Sequence, residues 1–141
     1  MKHITMVLLV LFFYYNLKAQ EDTIIVLKKV DIAEGIPIAK FGGRTGSSSI
    51  SKEELITIEE LIVVQDSTTS EKELIIISFD VTTIIQGFEM SLLVMGNKVS
   101  ESQKNILRKV KPGENIYIEN IKVKAADGVV MQLSKIHLKV L

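Results

Sequence analysis

The chain contains no cysteine and no tryptophan, and its 141 residues include only two histidines and two prolines. The absence of cysteine excludes a disulfide, a thiol nucleophile and a lipid anchor attached through an N-terminal cysteine. It also excludes the thiolate-based forms of a structural zinc site. A folded domain in this chain must therefore be stabilised by the packing of aliphatic side chains, in which the sequence is rich.

The first twenty residues are typical of a secretory signal peptide. Lys2 and His3 give a short basic start, an apolar run covers residues 4–15, and Ala19 supplies a small residue for cleavage. The run is shorter than the roughly 20 residues that cross a bilayer; an uncleaved N-terminal anchor is the alternative. We predict that residues 1–20 are a signal peptide and residues 21–141 a single domain. The mature protein is then expected to be periplasmic or secreted.

Charge and aromatic content argue against several classes of partner. Residues 21–141 keep 15 of the 17 basic residues and all 17 acidic ones, so their formal charge is 15 − 17 = −2. A nearly neutral protein lacks the electrostatic attraction that nucleic-acid binding requires. Four of the eight aromatic residues lie in the predicted signal peptide, which leaves few ring faces for stacking on bases or sugars. We predict no nucleic-acid partner.

The residue inventory also argues against an enzyme. His137 is the one histidine of the predicted mature chain, and its place between Ile136 and Leu138 in a strand-like segment directs it away from the face that these two line. With no second histidine and no cysteine, neither a nucleophile–base pair nor a zinc site has supporting residues. We predict no catalytic residue, no metal and no cofactor.

Segments rich in valine and isoleucine predict strands along most of the chain, at 23–30, 36–41, 58–65, 74–85 and 88–96. The apolar start of the segment 74–85 predicts a strand buried on both faces. Its second half alternates, which predicts a half-buried strand. Gly87 lies in the short link to the next strand and favours a hairpin.

The C-terminal residues 114–141 predict two strands joined at Asp127-Gly128, a pair that favours the positive φ angles of a tight turn. The alternating pattern skips once in each arm, after Ile118 in the first and after Leu133 in the second. Such a skip indicates a β-bulge or a strand that leaves one sheet for another.

Two short helices interrupt the strands, and each begins with the pattern of a capping box. The first has Ser51 followed by Glu54, and the second has Ser100 followed by Gln103. Pro112-Gly113 ends the second helix. About seven strands with one or two short helices predict a mainly β fold, an immunoglobulin-like β-sandwich.

The segment KFGGRTGSSSISKEEL, residues 40–55, places three glycines before a helix start, which is a pattern that can bind phosphate. A nucleotide-binding P-loop has four residues between its glycines and a lysine after the second. Here three residues separate Gly42 from Gly46, and no lysine follows. We therefore predict a glycine-dependent turn, with Arg44 as a candidate contact for a carboxylate or phosphate on a partner.

A second candidate surface surrounds the second helix and consists of five basic residues. They are Lys98, Lys104, Arg108, Lys109 and Lys111. They form either an ordinary solvated face or a docking face for an acidic partner. In the second case their charges would affect the rate of association more than its affinity.

Three segments of the chain resemble the C-terminal domain of the gliding-motility protein GldM, of the type IX secretion motor complex. They are IPIAKFGGRTGSSSISKEEL, GNKVSESQKNILRKVKPGENIYIENIKVKAADG and LSKIHLKVL, and the resemblance covers about residues 36–141. It implies an immunoglobulin-like, β-rich periplasmic module that works by contacting other proteins and has no active site. We expect this protein to lack the membrane helix, helical segment and preceding domains of that family's parent, so a motor role is not expected.

Together these observations predict a non-enzymatic protein-binding module. Its expected partner is a cell-envelope protein, with a type IX secretion or gliding component as the implied class, or a second copy in a homodimer. The alternative is a carrier of a small apolar ligand in a pocket of the sandwich or of a barrel.

Overall fold

The computed structural model describes residues 36–65 and 73–141. Their strands are β1 (Ile38–Phe41), β2 (Ser47–Ile50), β3 (Leu61–Val64), β4 (Leu74–Ile85), β5 (Phe88–Met95), β6 (Asn115–Ala125), β7 (Val130–Gln132) and β8 (Ile136–Val140). The helices are α1 (Lys52–Leu55) and α2 (Glu101–Lys109). The predicted signal peptide and the predicted strand at 23–30 lie outside the described residues.

The strands form two sheets. The large sheet has the order β2-β8-β6-β4-β5, with β7 also paired to β6, and the small sheet consists of β1 and β3. All pairs are antiparallel except β2 with β8, which run parallel. The prediction of a mainly β sandwich with two short helices is confirmed.

One apolar core lies between the small sheet with its helices and the inner face of the large sheet. Phe41 and Leu61 enter it from the small sheet, and Phe79, Ile116 and Leu138 enter from the large one; all five are fully buried. Burying each such side chain stabilises the fold by roughly 1.5–3 kcal/mol. This aliphatic core supplies the stability that disulfides cannot supply here.

The burial of β4 differs from the prediction. Its first half was predicted to be buried on both faces, but Ile75 is 60% exposed. Ile75 lies opposite Lys124 on the outer face, and β5 begins to pair with β4 only at Ser78. Further along the strand, Phe79 and Val81 are fully buried, as the alternation predicts. An apolar run does not reveal which of its members a second layer covers.

The first skip in the C-terminal pattern is a β-bulge. Asp80 of β4 pairs with Glu119, whereas Ser78 pairs with Lys122, so two residues of β6 lie opposite one residue of β4. Asn120, inside the bulge, has a left-handed backbone with φ 50°. Its Nδ2 donates to the Asp80 carboxylate at 2.6 Å. The bulge restores the inward direction of the next apolar residues, as predicted.

The second skip interrupts a strand without moving it to another sheet. β7 and β8 both pair with β6, and the irregular residues 133–135 separate them. The Leu133 amide still donates to the Ile121 carbonyl at 2.9 Å. The alternative of a strand that changes sheets is therefore wrong, because both pieces remain beside the same bulged neighbour.

Both helices begin at the predicted caps, but only one capping box is complete. In α2, the Ser100 side chain accepts from the Gln103 amide and the Gln103 side chain accepts from the Ser100 amide. In α1, Ser51 accepts from the Glu54 amide, while the Glu54 carboxylate forms its ion pair with Arg44. The reciprocal bond predicted for α1 is replaced by this longer-range contact.

Lys52 joins the two helices. Its ammonium donates to the carbonyls of Leu107 and Arg108 at 2.7 and 2.8 Å and also to that of Val110. These carbonyls belong to the C-terminal end of α2, where backbone acceptors have no partner within the helix. Burial lowers the pKa of Lys52 below its ordinary value, and the Glu114 carboxylate acts in the opposite direction.

We expect the Lys52→Met substitution to reduce the free energy of unfolding by about 1–2 kcal/mol. Methionine keeps the apolar stem but cannot satisfy the carbonyls at the end of α2. Urea denaturation followed by circular dichroism measures the effect. The matched control is Glu53→Gln at the exposed neighbouring position, for which we expect a change within about 0.5 kcal/mol. Equal effects of the two substitutions would contradict the role of Lys52.

Candidate partner-binding surfaces

The glycine segment forms a tight turn followed by a strand. Phe41 and Arg44 exchange backbone hydrogen bonds of 2.9 and 3.1 Å across Gly42-Gly43, both of which have positive φ angles. The predicted turn is present, but the serines that follow form the edge strand β2. This strand was not predicted, because serine has no strong preference for strands.

Arg44 folds back onto this turn. Its guanidinium donates to the carbonyls of Ser49 and Gly42, each at 2.8 Å, and to the Glu54 carboxylate at 2.7 Å. All three of its nitrogens therefore have partners within the domain. A partner protein would have to compete with these bonds for the guanidinium. Within the domain, Arg44 holds the turn against Ser49 and Glu54.

Two of the five basic residues form ion pairs with the segment before β3. Lys98 binds the Glu60 carboxylate and Lys104 binds that of Glu59, each at 2.7 Å. The hydrogen bond to Glu59 raises the pKa of Lys104, and the hydrogen bond from Lys98 lowers the pKa of Glu60. These two lysines hold α2 and its preceding loop against the small sheet.

The remaining three basic residues lie at the C-terminal end of α2. Arg108 donates to Asn105 at 2.7 Å and lies 3.7 Å from the Glu101 carboxylate. Lys109 and Lys111 are exposed, and their ammonium groups have no hydrogen-bond or ion-pair partner among the residues described. Cations at this end also complement the helix dipole. Within the predicted basic surface, Lys109 and Lys111 are the positive charges left free for a partner.

The edge strand β5 is a second surface. In the part of the chain that the structure describes, β5 pairs only with β4, which leaves its other backbone edge without a strand. Phe88 and Met90 are exposed on the inner side of the sheet, and Leu93 and Met95 are exposed on the outer side. Their exposed fractions reach 75% for Phe88 and 69% for Met95. The only charged residue of the strand is Glu89.

Gln103 fixes the middle of β5 against α2. This side chain is fully buried, and its Nε2 donates to the Leu92 carbonyl at 3.0 Å while its Oε1 accepts from the Ser100 amide at 3.1 Å. One residue thus serves the helix cap and holds the edge strand. The capping role of Gln103 was predicted from its spacing to Ser100, whereas its bond to β5 was not.

A family model for the GldM C-terminal domain matches residues 36–140. The chain belongs to the GldM C-terminal domain family. A search among curated proteins found no match. Neither helix in the two described ranges is long and apolar enough to span a membrane.

The GldM-type segment from Lys111 to Gly128 supplies the centre of the large sheet. It begins at the end of α2, where the Lys111 amide donates to Glu114 at 2.7 Å. It then forms β6, which pairs with β4, β7 and β8. Its closing Asp127 accepts from the Val129 amide at 3.0 Å in the turn. The most distinctive motif of the sequence is therefore a structural one.

His137 lies on the outer face of the GldM-type domain, as its place in the sequence predicts. Its ring stacks on Tyr117 with centroids 4.8 Å apart, and its Nε2 lies 2.9 Å from the Asn115 Oδ1. Lys135 contacts Tyr117, and its ammonium lies 5.7 Å from the centre of the Tyr117 ring. These contacts join neighbouring strands β6 and β8.

Proposed function

We propose that this member of the GldM C-terminal domain family is a non-enzymatic protein-binding module of the cell envelope, periplasmic or secreted. Family membership supports an envelope role and a type IX secretion or gliding component as the class of partner. The match covers the domain that the structure describes. The contacts made by His137 and Arg44 stabilise the fold, which agrees with a non-enzymatic role.

The observation that carries this proposal is the free edge of β5. Edge strands in stable soluble proteins are short, charged, interrupted by proline or covered, because an unpaired apolar edge pairs with other chains. β5 has eight residues, a single charge and exposed apolar side chains on both faces. A protein that adds a strand there would satisfy the backbone groups and cover the apolar side chains together.

The C-terminal end of α2 is the proposed second contact. Lys109 and Lys111 are available to an acidic surface, whereas Lys98 and Lys104 are already neutralised by glutamates. Exposed charges at the rim of an interface mainly increase the association rate. We therefore assign partner attraction to Lys109, Lys111 and, in part, Arg108, and strand pairing to β5.

Crosslinking in the native envelope tests this assignment. We expect an identified envelope protein to be captured by the parent chain and lost in Leu93→Lys, which places a charge at the exposed centre of β5. The double reversal Lys109→Glu/Lys111→Glu should lower capture severalfold, most strongly at low salt, where screening is weakest. The matched control is Lys124→Glu/Lys139→Glu, an equal charge change on the outer face of the large sheet.

Two results would count against the proposal. If Leu93→Lys captures the same envelope proteins in the same amounts, β5 is not the binding edge. If both double reversals lower capture equally, the effect belongs to net charge and not to the end of α2.

The alternative of an apolar-ligand carrier has less support. The clefts found in the described ranges open to solvent, and one of about 430 Å³ lies on the outer face of the large sheet. It is lined largely by polar residues around the bulge, among them Asp80, Asn120 and Lys122. An apolar ligand needs an enclosed apolar cavity, and native mass spectrometry of the purified protein would detect one that co-purifies.

A further inference from the structure

Two bulges, one on each side of Ser78, lie beside the polar cleft of the large sheet. Ile76 of β4 pairs with Val123. Ser78, two residues further on, pairs with the neighbouring Lys122, so β4 has one extra residue before Ser78 and β6 has one after it. Bulges bend a strand and change the direction of its side chains, and they are frequent beside functional sites. Here they place polar groups of both strands around one cleft of about 430 Å³.

One oxygen of the Asp80 carboxylate in this cleft has no hydrogen-bond donor. Oδ2 accepts from Asn120, whereas Oδ1 is buried and has no partner among the described residues. Lys122 also lines the cleft, but none of the ion pairs in those parts of the chain includes it or Asp80. A buried charged acceptor without a donor is costly, and its strongest donors are cations. The missing partner of Oδ1 is therefore expected to be a cation.

The rest of the cleft lining favours one kind of cation. Ser78, Ser91 and Gln132 contribute hydroxyl and amide oxygens, and the exposed Leu93 adds an apolar wall. An arginine guanidinium has five donors in one plane, whereas a lysine ammonium has three donors around one point. Arginine can therefore donate to Oδ1 and to neighbouring oxygens at the same time, while its apolar stem packs on Leu93.

We propose that this cleft, which we call the bulge cleft, binds an arginine side chain of a partner protein, with the guanidinium donating to Oδ1 of Asp80. The cleft opens on the outer face of the sheet and does not enclose a ligand. A side chain that projects from another protein fits such a site, whereas a free small molecule is usually buried on most sides. The inference rests on the proposed binding role and adds to it a further contact surface and one chemical feature of the partner.

Lys122 allows a test by the sign of an effect. Its exposed ammonium lies at the same cleft, so it repels an arriving guanidinium and would attract an anion. We expect Lys122→Gln to strengthen the binding of an arginine peptide severalfold. The control Lys139→Gln makes the same charge change on β8, on the other side of β6, and should alter binding by less than about twofold. Weaker binding by Lys122→Gln would indicate an anion site and overturn the inference.

NMR titration of the full chain with a capped peptide that contains one arginine measures this binding. We expect saturable shifts of the Ser78, Asp80 and Asn120 amides. The matched peptide with citrulline in place of arginine keeps the shape without the charge and should not cause them. Asp80→Asn should weaken binding by about tenfold or more. Circular dichroism checks the fold of that variant, and Lys122→Gln tests the site at an exposed position if Asp80→Asn does not fold.

The outcomes separate this inference from the proposed function. If the arginine and citrulline peptides act alike, or if a lysine peptide binds as tightly, the assignment of an arginine is wrong. If the arginine peptide does not bind and envelope crosslinking still depends on Leu93, the bulge cleft is not a contact and the role of β5 stands. If the peptide binds through Asp80 while Leu93→Lys leaves the crosslink intact, the bulge cleft stands and β5 is not the binding edge.

Discussion

Replacing Gln103 with alanine should lower the free energy of unfolding by about 3 kcal/mol, the largest effect that we expect from a single polar residue of this domain. The side chain is fully buried and makes two hydrogen bonds, to the Leu92 carbonyl and to the Ser100 amide. Alanine would remove both hydrogen bonds, leave the Ser100 amide without its acceptor and create a cavity beneath α2. An unsatisfied buried group costs about 1–3 kcal/mol, and the cavity adds to this.

Urea denaturation of Gln103→Ala measures the effect, and two further variants separate its causes. Gln103→Leu fills most of the volume but makes neither bond, so the cost that remains belongs to the hydrogen bonds. Ser102→Ala changes the exposed neighbouring residue and should alter stability by no more than about 0.5 kcal/mol. If Gln103→Ala costs no more than Ser102→Ala, the link between α2 and β5 does not contribute to stability.

Gly42→Ala should destabilise the domain by about 2–4 kcal/mol, whereas Gly43→Ala should cost about 1–2 kcal/mol. Both glycines have left-handed backbones, with φ 55° and 74°, so both substitutions carry the same conformational penalty. A Cβ at Gly42 would also lie 2.6 Å from Cδ1 and 3.1 Å from Cγ1 of Ile58. At Gly43 the space for a Cβ is open.

The difference between the two glycine variants is the informative quantity. Because their backbone costs are similar, the excess at Gly42 measures the contact with the buried Ile58 side chain. The double variant Gly42→Ala/Ile58→Val, which shortens Ile58, should recover part of that excess. Equal unfolding free energies for Gly42→Ala and Gly43→Ala would show that Ile58 moves aside at little cost.

The sequence was informative about local geometry. The alternation in β6 and its skip after Ile118 predicted a bulge, and the structure places it at Asn120. The hairpin at Gly87 and the caps at Ser51 and Ser100 were also predicted correctly. Each of these features depends on residues close together in the chain, which is why a single sequence reveals them.

The candidate contact residues were less predictable. Arg44 and Lys104 were predicted as candidate partner contacts, but they bind Glu54 and Glu59, which lie 10 and 45 residues away. The sequence contains both residues of each ion pair but does not indicate that they are in contact. Docking through a sheet edge was expected, but that β5 is the open edge was not, since a strand's neighbours are set by the order of strands in the sheet.

By itself, the sequence determined the mainly β class, the two capped helices, the turns and the family to which residues 36–140 belong. These follow from residue periods, glycine positions and motifs that act over short distances. The tertiary structure decided which strands lie at the edges, which lysines remain free and which half of β4 is exposed. Such properties arise from contacts between distant parts of the chain, which local residue patterns do not specify. For this protein, it is the order of strands in the large sheet that leaves β5 open to a partner.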